Sequence, residues 1–188
     1  DRQPSFAAGL YAGPVLIESD GGAECVQVDF TPLGAYRFFG GAVADLAARM
    51  IDMSDVLGRD GRWLRERLGA AGGWQQRFDL VEDFIADRAG YLPSPAIEFA
   101  YRRLARSAGG VRIAALAAEI GWSRKHLVSR FRSELGLAPK EVARMMRFQQ
   151  ACTLARRGNR AGWAGIAAEA GYADQAHLAR EFSELAGE

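Results

Sequence analysis

Along most of this chain the apolar residues return every three or four positions, the spacing that lays a continuous stripe on one side of a helix. From "TPLGAYRFFG" (31–40) onward the pattern is helical: "VADLAARM" (43–50), "RDGRWLRERL" (59–68) and "GWQQRFDLVEDFIADRAG" (73–90) all follow it, and the glycine-rich "GAAGG" (69–73) divides the last two. The first forty residues read differently. "LYAGPVLIES" (10–19) is a short β-rich run, "DGGA" is a turn signal, and "ECVQVDF" (24–30) alternates, with Val26, Val28 and Phe30 on one face. Two strands bury no core alone, so these segments predict the end of a larger β structure whose start is absent.

A break falls near residue 93. Pro93 and Pro95 interrupt the preceding pattern, Ser94 stands where a helix N-cap belongs with Pro95 at the first helical position, and Gly109 and Gly110 close the helix that follows. Charge changes at the same place. Residues 1–98 carry 9 basic and 15 acidic side chains, a balance of −6, whereas residues 99–188 carry 15 and 8, a balance of +7. The predicted organisation is a β-rich end of one domain at 1–43, linker or dimerisation helices at 44–92, and an all-helical basic domain at 93–188. A basic half suits a polyanionic partner.

The basic half contains a repeat. "LAAEIGWSRKHLVSRFRSELG" (116–136) returns as "IAAEAGYADQAHLAREFSELAG" (166–187), with one extra residue between the glycine and the His-Leu pair of the second copy. Glycine inside a helix costs about 1 kcal/mol relative to alanine, so Gly121 and Gly171 need a reason. Ala117, Gly121 and Leu127 have helix-turn-helix spacing: a small residue where two helices approach, a glycine for the turn, and a leucine that locks the second helix onto the first. Ser123 and Asp174 are the expected caps of the second helices. Two helical hairpins that merely build a core are the plainer alternative to DNA binding; two copies in the basic half favour DNA.

On these residues the segment 94–187 resembles the DNA-binding domain of AraC/XylS-type transcription regulators, two helix-turn-helix units joined by a long helix, here "PKEVARMMRFQQACTLARRG" (139–158). The first unit closes as that family's does, with Gly136 followed by Pro139. Val142 replaces the usual aromatic residue, and the family's second proline-containing tail is incomplete at Glu188. The expected fold is therefore mainly α, with linker helices and a short β remnant before the double helix-turn-helix.

Helical geometry divides the second helix of each unit. Leu127, Phe131 and Leu135 form one stripe, and Lys125, Ser129 and Arg132 lie opposite, flanked by Arg124 and Val128. In the second unit the stripe is Leu178, Phe182 and Leu185, with Ala176, Arg180 and Ser183 opposite, His177 beside them and Gln175 in the first turn. The resemblance implies base-contacting positions at Lys125, Val128 and Ser129, then Gln175, Ala176, His177 and Arg180. Arg180 has the fork that binds guanine O6 and N7, Gln175 the amide that binds adenine N6 and N7, and Val128 can only touch a thymine methyl. The linking helix of about 18 residues spans about 27 Å, which suits adjacent major-groove segments about 34 Å apart.

Each has a duller reading: Arg180 paired with Glu184 on its own helix, His177 an exposed bystander, and His126 a packing or phosphate contact. Trp63 and Trp74 read as core side chains, and Arg156 and Arg157 as a helix end favoured by its dipole. The expected partners are double-stranded operator DNA, with RNA polymerase, a small-molecule effector and a second copy of the chain as further candidates. Cys25 and Cys152 lack any metal or redox spacing and read as free thiols of a reducing cytoplasm. No cofactor, metal or catalytic residue is expected, and no apolar run reaches the roughly 20 residues that cross a bilayer. The competing classes are an enzyme fused to a DNA-binding domain, such as an alkyl-transfer repair protein with a reactive cysteine, and a helical protein-interaction module.

Overall fold

A computed structural model describes residues 5–11, 13, 22, 24–158 and 162–187. It is mainly helical, and by contacts between Cα atoms it divides into two compact units, one chiefly of residues up to Pro93 and one chiefly of residues from Ser94 on.

In the first unit a two-stranded antiparallel sheet pairs β1 (Phe6–Ala8) with β2 (Met50–Asp52), Ala7 opposite Ile51. Helices α1 (Pro32–Phe39) and α2 (Ala42–Leu46) lie between the strands, and α3 (Met53–Leu57), α4 (Arg59–Ala70) and α5 (Trp74–Arg88) follow. The Thr31 hydroxyl caps α1 by accepting from Gly34 N–H at 3.1 Å, and the Asp52 carboxylate caps α3 by accepting from Ser54 N–H at 2.8 Å. The Ser54 hydroxyl donates to the same carboxylate, and this bond together with that from the N–H holds the Asp52 carboxyl below the usual aspartate range. Phe38 centres the core, its ring 5.2 Å from Phe30, 4.6 Å from Phe39 and 5.9 Å from Phe84.

Three expectations fail in this unit. "ECVQVDF" forms no strand: Val28 is exposed and Phe30 leaves the alternation to stack on Phe38, and no strand among the described residues pairs with this segment. (The other expected strand, 10–19, lies outside the described residues save for Leu10, Tyr11 and Gly13.) The helix expected over 43–50 stops at Leu46. Ala48 takes a positive φ of 55° and Met50 enters β2, since hydrogen bonds from Gly9 N–H to Arg49 O and from Ala48 N–H to Leu10 O capture this backbone. Tertiary pairing overrides a weak local preference. Finally, Trp63 and Trp74 are not core residues; they are 49% and 43% exposed, and guanidinium groups of Arg67 and Arg77 lie over their rings.

The second unit holds α6 (Pro95–Arg106), α7 (Ile113–Ile120), α8 (Arg124–Leu135), α9 (Pro139–Arg156), α10 (Gly162–Glu169) and α11 (Gln175–Ala186). Ser94 takes the extended N-cap conformation before Pro95 without a capping bond from its hydroxyl to the first turn. Helix α9 is its axis, packing on α6 and on both α10 and α11. At its start the Glu141 carboxylate accepts from Ala138 N–H at 2.8 Å. Gly109 (φ 79°) comes so close to this helix that a Cβ would stand 2.1 Å from the Ala143 carbonyl oxygen, so only glycine fits. Ile97, Leu104, Leu116, Leu127 and Phe131 are wholly buried, and Ala151, Leu154, Ile166, Ala167, Tyr172 and Leu178 form a second cluster.

Candidate nucleic-acid interface

The two copies of the repeat fold alike. After α7 and after α10, a glycine takes the left-handed conformation, Gly121 at φ 76° and Gly171 at φ 80°. In each case the following aromatic residue sends its N–H back to the alanine of the approach position: Trp122 to Ala117 O at 2.9 Å and Tyr172 to Ala167 O at 2.8 Å. This is a helix C-cap that satisfies orphan carbonyls while turning the chain. Then the next helix is capped from its own side chain. Ser123 Oγ accepts from His126 N–H at 3.1 Å, and Asp174 Oδ1 accepts from His177 N–H at 2.7 Å. Matching the caps leaves Ala173 as the inserted residue, absorbed in the turn. Even the aromatic–histidine contact recurs edge to face, Trp122 on His126 at 4.4 Å and Tyr172 on His177 at 5.2 Å.

The turns present the helix faces as the apolar spacing requires. On α8, Leu127 and Phe131 are wholly buried while Lys125, Ser129 and Arg132 are exposed; Val128 is half-buried. On α11, Leu178 is buried, Phe182 half-buried against the second cluster, and Gln175, Ala176 and Arg180 are exposed. The duller reading of Arg180 fails on geometry. Glu184 pairs instead with Arg144 of α9, and Arg180 has no ion pair among the described residues.

His177 and Arg124 stand apart from the other expected reading residues. The His177 ring turns inward, its Nδ1 accepting from Ala173 N–H at 3.5 Å and its Nε2 lying 3.7 Å from Glu181 Oε1. Arg124 lines a cleft with residues of α7 and α9.

A group the repeat concealed lies behind α11. Glu181, 8% exposed, accepts from Arg144 Nε at 3.1 Å and lies 3.7 Å from Arg147 Nη2. Arg147 Nη1 donates to the Gly109 carbonyl at 3.2 Å, and its guanidinium lies 5.9 Å from the Tyr172 ring. Burial, together with the adjacent Glu181 charge, pushes the Tyr172 hydroxyl well above the usual tyrosine range. A buried carboxylate is costly unless cations and donors meet it, and here two arginines of α9 do so. The signal was present in the sequence. Where Glu181 stands, the first copy has Arg130, and Arg144 and Arg147 are one helical turn apart on the linking helix.

Among the described residues no three His, Cys, Asp or Glu side chains gather as a metal site, and no helix is long and apolar enough to cross a membrane. Comparison with known families matches residues 116–188, both copies and the helix between them, to a helix-turn-helix domain of the AraC type. Comparison with curated proteins and with solved structures gives no significant match. The family match supports a DNA-binding domain in this segment.

Proposed function

We propose that the chain is a sequence-specific transcription regulator of AraC/XylS type that reads two adjacent major-groove segments, one with α8 and one with α11. The observation that carries this reading is the duplicated turn and cap, which gives both helices the same seat and leaves Lys125, Ser129 and Arg132, then Gln175, Ala176 and Arg180, facing outward. Helix α9, 18 residues long, separates the two copies by about 27 Å of helix. Lys125 and Arg180 supply guanine donors, Gln175 and Ser129 suit adenine or either base, and Val128 and Ala176 suit a thymine methyl.

The unit before Pro93 is proposed as the effector and linker part, responding to a small molecule. Its α4 and α5, with exposed Trp63, Trp74 and Phe78, are the proposed surface for a second copy. RNA polymerase remains a proposed partner of the DNA-bound form. The alkyl-transfer alternative loses support at Cys152, where burial pushes the thiol up, the opposite of what a nucleophilic thiolate needs.

Selection of bound duplexes from a random library, followed by footprinting, tests the reading. Two protected major-groove segments about one helical turn apart are expected. A single protected segment would remove α11 as a reader, and no enrichment over random sequence would remove sequence-specific binding altogether.

A further inference from the structure

A cleft of about 370 Å³ opens beside the start of α8, lined by Arg112 and Ile113 at the amino end of α7, by Arg124, and by Lys140, Ala143 and Arg147 of α9. No carboxylate lines it. Elsewhere in this unit Arg102 pairs with Glu98, Arg103 with Glu119, and Arg144 with Glu181 and Glu184. Arg112, Arg124 and Lys140 are exposed and have no ion pair among the described residues. Arg147 is spoken for by Gly109 and Glu181, so it forms the back wall and adds positive potential.

Helical bonding adds donors to the same place. Leu116 N–H is the one that reaches back to Arg112 O, at 3.0 Å, so the N–H groups of Ile113, Ala114 and Ala115 precede the first helical bond. Those of Ile113 and Ala114 belong to residues that line the cleft. Three unneutralised cations in a concave site, with free amides at the positive end of a helix, focus potential on one anion.

We infer that this cleft holds a phosphodiester of the DNA backbone and that Arg112, Arg124 and Lys140 anchor the duplex there without reading its sequence. The inference rests on the DNA-reading proposal above. It gives Arg124, which flanks the outward side of α8, a backbone contact, while Lys125, the next residue, keeps its outward position. A phosphate fits better than a carboxylate because three unpaired cations, backed by Arg147, line the space, and a diester fits better than a free ion because the cleft adjoins the start of the proposed reading helix.

The test titrates the full chain into two duplexes of about 40 base pairs, one random and one enriched by selection, between about 50 and about 200 mM KCl. Arg112→Gln and Lys140→Gln are each expected to lower the slope of log affinity against log salt by about one, so that affinity falls about 3.5-fold less across that range. The change should be equal on both duplexes, and Lys140→Arg should restore the slope. Millimolar inorganic phosphate at constant ionic strength should displace neither duplex. Unchanged slopes, or weakening confined to the enriched duplex, would overturn the anchor, and displacement by inorganic phosphate would make the cleft a free-phosphate site instead. Failure of the underlying reading looks different: the unmodified chain would then bind neither duplex, or bind with no dependence on salt.

Discussion

Helices α8 and α11 occupy the same place in the two copies of the repeat, yet one seating position differs: Arg130 is exposed on α8 where Glu181 is buried on α11. Helix α8 rests on Leu127 and Phe131, both without exposed surface. Helix α11 rests on Leu178 and a half-buried Phe182, and on Glu181, a carboxylate pressed between Arg144 and Arg147. The apolar part of each seat depends on volume and responds little to salt or pH. An ionic seat depends on geometry, since its worth is the small surplus of attraction over lost hydration. The two copies share the turn and both caps and differ in how that one position is used.

The largest expected effect is at the apolar seat. Phe131→Ala should cost about 3–5 kcal/mol in urea unfolding, because a wholly buried ring leaves a cavity. Phe182→Ala, at the same position of the second copy, should cost clearly less because its ring is already part exposed. Equal losses would erase the contrast between the copies.

Glu181→Ala comes next, at about 1.5–3 kcal/mol, the loss of charge-assisted bonds that leaves the Arg147 guanidinium short of a partner. Hydrogen exchange should locate the loss in α11 and spare α8. Uniform loss of protection across both helices would show that the ion pairs stabilise the unit as a whole.

Arg180→Ala should reduce discrimination at one base pair by about 1–3 kcal/mol and leave other positions alone. Arg157→Ala, at the end of α9, should instead weaken all sequences alike and lower the salt slope by about one. Binding of both variants to single-base variants of a selected duplex separates the two, and an intact base preference in Arg180→Ala would take α11 out of the groove.

The smallest expected effect is alkaline. Folding holds the Tyr172 proton above the ordinary value of 10.0, so the folded state keeps a proton that the unfolded chain releases. That contribution is full below about pH 10 and declines as pH rises beyond it. Trp122, at the matching position, has no proton to lose. Tyr172→Phe should therefore lessen the stability lost between about pH 9 and about pH 11. Burial raises Tyr101 too, but it is common to both proteins and cancels. Identical losses in the two would show that Tyr172 does not sense its burial.

What could be read in the sequence was local or periodic. Gly121, Gly171, Ser123 and Asp174 act within one turn of themselves, so their spacing revealed the turns and caps. Exposure of Lys125 and Arg180 followed from the stripes on the opposite side of their helices. What escaped depends on partners distant in the chain. Met50 becomes a strand residue because Ala8 pairs with it. Glu181 is buried because Arg144 and Arg147 come to it from another helix. Trp63 and Trp74 have helical spacing but face outward, since periodicity marks a stripe without saying what covers it. The cleft, too, is assembled from α7, α8 and α9, and no single segment announces it.

Helix α9 has a consequence for how an operator could drift. A helix adds 1.5 Å and 100° per residue, so one residue inserted between the copies would swing the second reader out of register with the first. Seven inserted residues, about two turns, would nearly restore the angle but lengthen the helix by about 10.5 Å, roughly three base-pair steps. A regulator tethered this way tolerates change of letters within each half of its site far better than change in the gap between them. Spelling can evolve one base at a time; spacing cannot.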